Sequence, residues 1–151
     1  MFADLQISSP AFDPLGAIPD RLTGSGEDVS PELQWSGVPD GTRQLALICH
    51  DPDAPMPDGF THWVMYGIPA DESGLSEGGG GQFVEGQNDF GNAGWNGPAP
   101  PEGHGPHHYY FWLYALDTEI DAGPGLSRSE LLDRIRDHVL EQARLVGTYE
   151  N

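Results

Sequence analysis

Cations are scarce in this 151-residue sequence, which has no lysine and six arginines against 24 acidic residues. The formal net charge is −18 at pH 7. A surface of this charge repels the phosphates of nucleic acids and anionic lipid headgroups, so we expect no nucleic-acid partner and no stable membrane association. The carboxylates are spread among apolar residues, which is not the pattern of a disordered acidic tail. Because molar salt would screen this self-repulsion, the composition predicts a halophilic host.

Cysteine and long apolar runs are also scarce. The single cysteine, Cys49, excludes an internal disulfide, and its place in the apolar run 45–49 predicts a buried structural thiol in a reducing compartment. No run approaches the roughly 20 apolar residues of a transmembrane helix. The first five residues lack the basic region and apolar core of a signal peptide. These absences predict a soluble, cytoplasmic protein. The length, with no internal repeat or shift in composition, predicts one domain over residues 1–151.

Glycine and proline, 21 and 14 residues, separate short apolar runs throughout the chain. This punctuation is typical of a mainly β domain with long ordered loops. The predicted strands are Leu5–Ser8, Leu45–His50, His62–Ile68 and Tyr109–Leu116. The last of these is apolar at every position, which predicts a central strand covered on both faces.

One helix is predicted near the C-terminus, between Ser127 and Val146, where apolar residues recur at helical spacing. Ser127 and Glu130 form the pattern of a capping box, and Gly147 is the expected stop. The glycine run in 77–81 predicts a flexible loop tip. It is not a phosphate-binding loop, because no lysine-bearing helix follows it.

Three segments that begin or end predicted strands contain the residues that could form a site. The segment Asp51-Pro52-Asp53-Ala54-Pro55 follows a buried strand, and its prolines would hold two carboxylates close together. His62 opens the next strand, and His107 and Tyr109 share one face of the last. No segment is specific alone, because the first could equally be a stiff turn and a lone histidine is more often a packed core residue than a ligand. Together, at one rim of a β-sandwich, they would suit an oxyanion met by imidazoles that the aspartates orient.

Other kinds of site are disfavoured. There is no Cys-x-x-Cys spacing for a metal, since the chain has one cysteine, and neither a metal nor a cofactor is predicted. There is no Gly-x-Ser-x-Gly elbow, and Cys49 lies within a strand, so no catalytic residue is assigned. A hydrolase that uses a His–Asp pair to activate water remains an alternative.

The ordered motifs together resemble those of the phosphatidylethanolamine-binding protein family, in its bacterial and archaeal Raf-kinase-inhibitor-like branch. The similarity runs over nearly the whole chain. The matching segments are Ile18-Pro19, 26–39, 51–55, His62-Trp63, 86–89, 97–101, 105–109 and 113–117.

The resemblance implies a β-sandwich of two antiparallel sheets with a C-terminal α-helix, and a pocket for phosphate-like anions. Carried over by position, the expected ligand-binding residues are Asp51, Asp53, Pro55, His62, His107 and Tyr109. It also implies a cis bond between Ala54 and Pro55. The expected pocket rim consists of His108, Trp95 and Pro98.

Two positions depart from the family pattern. His108 stands where an arginine is usual, so a permanent cation is replaced by a titratable one. Trp95 stands where tyrosine is more frequent, which removes a hydroxyl group.

The sequence therefore predicts a binding protein for a small phosphate-bearing or carboxylate ligand that modulates a protein partner. An interaction protein resembling the family's protease or kinase inhibitors is a further alternative. Neither the physiological ligand nor the protein partner can be read from the residues. An apolar patch around Trp95 or the C-terminal helix would support a homodimer.

Overall fold

The computed structural model describes residues 4–79 and 83–151, and within them the chain is mainly β. The strands are β1 (Gln6–Ser8), β2 (Leu33–Ser36), β3 (Gln44–Asp51), β4 (Phe60–Pro69), β5 (Gly74–Leu75), β6 (Val84–Glu85), β7 (His107–Leu116) and β8 (Val139–Tyr149). A short 3₁₀ turn spans Asp20–Leu22, and one helix, α1, spans Arg128–Ile135. All strand pairs are antiparallel, in a sheet of order β1-β2-β5 and a larger one of order β6-β4-β3-β7-β8.

The two sheets share one apolar core. Alternate residues of β3 and β7 face the small sheet, as strand geometry requires, and pack with residues of β1 and β2. The opposite face of β3 is covered by α1, through Leu131 and Ile135. Strand β3 is therefore buried on both faces, and the site-bearing segments leave this rigid strand and its neighbours. The predicted fold class, two antiparallel sheets plus a helix near the C-terminus, is confirmed.

The four predicted strands are all present, but β7 is not covered evenly. One face, from His107 to Ala115, is buried, whereas Tyr110, Trp112 and Tyr114 on the other are half-buried. These three rings lie in a stacked row, and the guanidinium group of Arg144 lies over two of them, Tyr110 and Trp112. Their apolar character reflects this lateral packing, so the expectation of full cover on both faces was wrong.

The predicted helix to Val146 was also wrong in its second half. The capping box forms as expected, with Ser127 Oγ accepting from the Glu130 backbone and the Glu130 carboxylate accepting from the Ser127 backbone. The helix ends at Ile135, and residues from Val139 onward pair with β7 along the whole strand. Gly147 lies inside β8, where a Cβ would meet the side chains of Ile18 and Phe12. It is therefore kept small by close packing and does not end a helix.

Two smaller expectations concern single segments. No cis peptide bond occurs among the described residues, so the expected cis bond before Pro55 is trans. The predicted loop tip at 77–81 lies partly outside the described residues, which stop at Gly79 and resume at Phe83. None of the described helices is long and apolar enough to cross a membrane.

Candidate functional site

The three segments singled out in the sequence meet at one end of the larger sheet, around a cavity of about 210 Å³. Asp51 comes from the end of β3, His62 from β4, and His107 and Tyr109 from the start of β7. Apolar residues complete the walls: Ala54, Pro55, Met56, Phe60, Phe90, Ala99, Pro100 and Pro101. A few polar groups converge in a mostly apolar hollow, which is the usual make-up of a small-molecule site.

Asp51 and His107 form a buried pair in this cavity. Their side chains are 3% and 5% exposed, and Asp51 Oδ2 lies 2.7 Å from His107 Nδ1. The other carboxylate oxygen of Asp51 accepts from the backbone N–H of Asp53, at 2.8 Å. Because a carboxylate can only accept, the proton on Nδ1 is fixed, and Nε2 is the ring atom left for a ligand.

A β-bulge brings His62 into the same cavity. Cys49 pairs with Trp63 and His50 pairs with Thr61, so His62 is the extra residue in β4. Trp63 lies in the core between the sheets, and the His62 ring contacts that of Tyr109, with centroids 5.2 Å apart. Both side chains therefore point inward, although strict alternation predicts opposite faces. Bulges commonly redirect a side chain next to a functional site in this way.

The orientation of His62 is also fixed from one side. Its Nδ1 donates to the carbonyl oxygen of Asn96 over 2.7 Å, which again leaves Nε2 for a ligand. Burial lowers the pKa of His62, and this outweighs the hydrogen bond to Asn96 and the charges of Asp51, Asp28 and Asp89, which raise it. The ring is consequently neutral at pH 7 when the cavity holds no anion.

Tyr109 adds a hydroxyl group to the cavity. The side chain makes no hydrogen bond to another described residue, and burial, followed by the charge of Asp51, raises its pKa well above the ordinary value. The hydroxyl group therefore keeps its proton at any physiological pH and can donate it in a hydrogen bond.

Asp53 and His108 form a second pair, outside the cavity lining. Asp53 Oδ2 accepts from the backbone N–H of His108 at 2.7 Å and lies 2.8 Å from its Nδ1. Partial burial raises the pKa of Asp53, but the bonds and charge of His108 outweigh it, so the net shift is downward. This pair joins the Asp-Pro-Asp loop to β7 and thereby holds Pro55 in the cavity wall.

The other two expected rim residues do not line the cavity either. Trp95 packs against Trp63 and Phe111, and its indole N–H donates to the carbonyl oxygen of Leu22 over 3.1 Å. Pro98 is buried, and its carbonyl oxygen accepts from Gly24. The indole ring of Trp95 thus packs against the core between the sheets and does not reach the cavity lining.

The remaining histidines lie away from the cavity lining. His50 alternates with Asp51, so it lies on the opposite face of β3, where Nδ1 contacts the hydroxyl group of Thr61 at 3.0 Å. His104 is exposed, although its ring stacks against that of His107. His138 follows the helix and contacts Asp117 at 2.9 Å. Among the described residues, no group of three or more His, Cys, Asp and Glu side chains is arranged to hold a metal ion.

Sequence reasoning missed most of the cavity wall. Phe60 and Phe90 pack edge to face, 4.7 Å apart, and both contact the His62 ring. Phe60 is the first residue of β4 and Phe90 lies in a loop, so neither belongs to a periodic run that would mark it in the sequence. The proline run of residues 97–101 was the one available signal, because such a run predicts a rigid exposed segment that can form a wall.

The comparison with known families settles membership. Residues 8–150 match the family model described as phosphatidylethanolamine-binding protein. The chain belongs to the phosphatidylethanolamine-binding protein family. This confirms the resemblance drawn from the motifs.

Family members of known sequence and structure resemble the chain over nearly its whole length. The UPF0098 protein of Methanothermobacter thermautotrophicus is 46% identical, over 96% of this chain and 98% of its own. A crystal structure described as a phosphatidylethanolamine-binding protein homolog from Chlamydia trachomatis has 36% identity, 99% coverage of both chains and a TM-score of 0.93. That of E. coli YbcL, described as a new member of the mammalian family, has 34% identity, 99% coverage of both chains and a TM-score of 0.92.

Proposed function

We propose that the cavity between Asp51, His62, His107 and Tyr109 binds a small phosphate-bearing or carboxylate group. The observation that carries this proposal is the presence, in one small cavity, of two imidazoles whose Nδ1 atoms are already engaged. Each has Nε2 left for a ligand, beside a tyrosine hydroxyl group that stays protonated.

The charge balance of the cavity determines how such a ligand is held. Asp51 is the carboxylate among the described lining residues, and no arginine is among them. An anion must therefore be matched by imidazolium, with the Asp51–His107 pair neutral when His107 is protonated. Binding takes up a proton wherever His62 is neutral beforehand, so the affinity for an anion should rise as the pH falls.

The size of the cavity favours a headgroup over a whole lipid. Its volume of about 210 Å³ is smaller than the roughly 300–1,000 Å³ of pockets that enclose drug-sized ligands. Phosphate, phosphoethanolamine and acetate are therefore suitable probes. With a net charge of −18, the surface also disfavours docking to an anionic bilayer. Two further expectations stay predictions: that the protein modulates a protein partner, and that it forms a homodimer.

Calorimetric titration of the full chain with these three probes, at constant ionic strength, tests the proposal. We expect binding of at least one probe at millimolar concentration, stronger at pH 6 than at pH 8, and lost in His62→Ala and His107→Ala. His138→Ala is the matched control, since it removes a half-buried histidine outside the cavity lining, and it should bind as the wild type does. Absence of binding for all probes, or equal binding in the three variants, would contradict the proposal.

A hydrolase is the second candidate, favoured by one observation. The Asp51–His107 pair, with Nε2 free, has the arrangement of a general base that activates water. Turnover of phosphoesters and carboxylic esters that is abolished in His107→Ala would establish this function. Binding without turnover would leave the chain a binding protein.

A further inference from the structure

Asp28 belongs to the segment Gly26–Pro31, which the cavity does not include, yet its backbone conformation is unusual. Its φ is 59°, in the left-handed region that non-glycine residues seldom adopt. Aspartate tolerates this region when its side chain is held by nearby hydrogen bonds. A strained backbone of this kind persists only where surrounding contacts hold it, and such residues are concentrated near functional sites.

The Asp28 carboxylate holds the segment behind His62. Oδ1 accepts from the backbone N–H of Gly97 at 2.6 Å, and Oδ2 accepts from the side-chain amide of Asn96 at 3.2 Å. Gly97 leaves no room for a side chain, since a Cβ there would lie 2.2 Å from the carbonyl oxygen of Leu22 and 2.8 Å from Asp28 Oδ1. This close approach keeps the two segments together.

Asn96 is in turn the direct partner of His62. Its carbonyl oxygen accepts from His62 Nδ1, and its N–H donates to the His62 carbonyl oxygen at 3.2 Å. Its side-chain oxygen accepts from the amides of Asn88 at 2.8 Å and Asn92 at 3.0 Å. With the oxygen committed to two donors, the Asn96 amide nitrogen must find an acceptor, and Asp28 supplies it.

We propose that Asp28 is a positioning residue that, through Asn96, holds the His62 ring with its proton on Nδ1 and Nε2 available to the ligand. This inference rests on the proposed function and deepens it by adding a residue behind the cavity wall. Asp28 is not among the lining residues of the cavity and makes no hydrogen bond to the His62 ring, so its hydrogen-bonding effect on that ring passes through Asn96. Its negative charge also raises the pKa of His62, which favours the imidazolium form.

The test is the Asp28→Asn variant, which keeps the shape of the side chain and tolerates a left-handed backbone. Asparagine can accept from Gly97, but its NH₂ group then faces the donor amide of Asn96. In ¹⁵N spectra of the imidazole rings without ligand, we expect the Nδ1–H fraction and the pKa of His62 to fall. Phosphate affinity should weaken about five-fold, the typical effect of one lost hydrogen bond.

Two further variants complete the test. One controls for the loss of a negative charge, and the other perturbs the hydrogen bonds of Asn96 from a different residue. Glu27→Gln removes the same charge from the adjacent exposed residue and should leave the His62 signals unchanged. Asn92→Ala removes one donor to Asn96 from an exposed position and should shift them in the same direction as Asp28→Asn, by less.

The outcomes separate the two proposals. Wild-type His62 signals in folded Asp28→Asn, or equal shifts in Asp28→Asn and Glu27→Gln, would overturn the positioning role even if phosphate binds the wild type. If Asp28→Asn changes the ring signals and Glu27→Gln does not, while phosphate binds no form of the protein, the positioning of His62 stands and the proposed function fails.

Discussion

Two His–Asp pairs lie side by side in this protein and differ almost only in their exposure to solvent. Asp51–His107 and Asp53–His108 have Nδ1 to Oδ2 distances of 2.7 and 2.8 Å, yet their side chains are 3–5% and 41–42% exposed, respectively. The difference follows from strand alternation, because His107 faces the core and His108 the solvent. The same chemical pair can therefore form a binding site on one face of β7 and a loop fastening on the other.

The environment also determines what each pair contributes. Removal of one member of a buried pair leaves the other unpaired in the core, which is strongly destabilising. The outer pair is exposed to solvent, so when one partner is removed, water can form hydrogen bonds with the other in its place. In the proposed function, the inner pair is therefore the one that takes part in ligand binding, and the outer one attaches the Asp-Pro-Asp loop to β7.

The largest expected effect is on stability. Asp51→Ala should lower the free energy of unfolding by about 3 kcal/mol, because it leaves His107 and the backbone N–H of Asp53 without their buried partner. Asp53→Ala, its matched control in the same loop, should cost no more than about 1 kcal/mol. Urea unfolding at fixed salt measures both values. Equal losses in the two variants would show that burial does not distinguish the pairs.

A smaller effect is expected from salt. The Debye length is about 3 Å at 1 M, so molar KCl should screen the outer pair and bring Asp53→Ala to within a few tenths of a kcal/mol of the wild type. The deficit of Asp51→Ala should persist, because solvent ions do not reach that pair.

The stability of the wild-type protein should itself rise with salt, given its charge of −18. Stability that is equal in dilute buffer and in molar KCl would contradict the halophilic expectation.

The sequence predicted the orientation of the site residues on β7 better than that of His62 on β4. Alternation extended back from the predicted strand Tyr109–Leu116 correctly placed His107 and Tyr109 on one face, since side chains of a paired strand alternate with a period of two. The bulge at His62 could not be predicted, because it depends on how β4 meets β3. The order of the motifs, and not their local patterns, indicated that the three segments belong to one site.

The C-terminal segment shows why pattern alone failed elsewhere. Ile135, Val139 and Ala143 are spaced four apart, which suits a helix, yet Ala143, Leu145, Gly147 and Tyr149 also alternate. Residues 139–149 form a strand because they pair with the whole length of β7. The local sequence pattern contains no information about this pairing. The Asp28–Asn96 contact was missed for a similar reason, since it joins loops 68 residues apart.

The most direct test of the central claim is the response of the histidine rings to phosphate. In ¹⁵N-labelled protein at constant pH and ionic strength, millimolar phosphate should move the Nε2 signals of His62 and His107 toward those of hydrogen-bonded imidazolium. The signals of His108 and His138 should stay in place. If the His108 signal moves as far as that of His107, or no ring responds at all, the assignment of ligand binding to the inner pair is wrong.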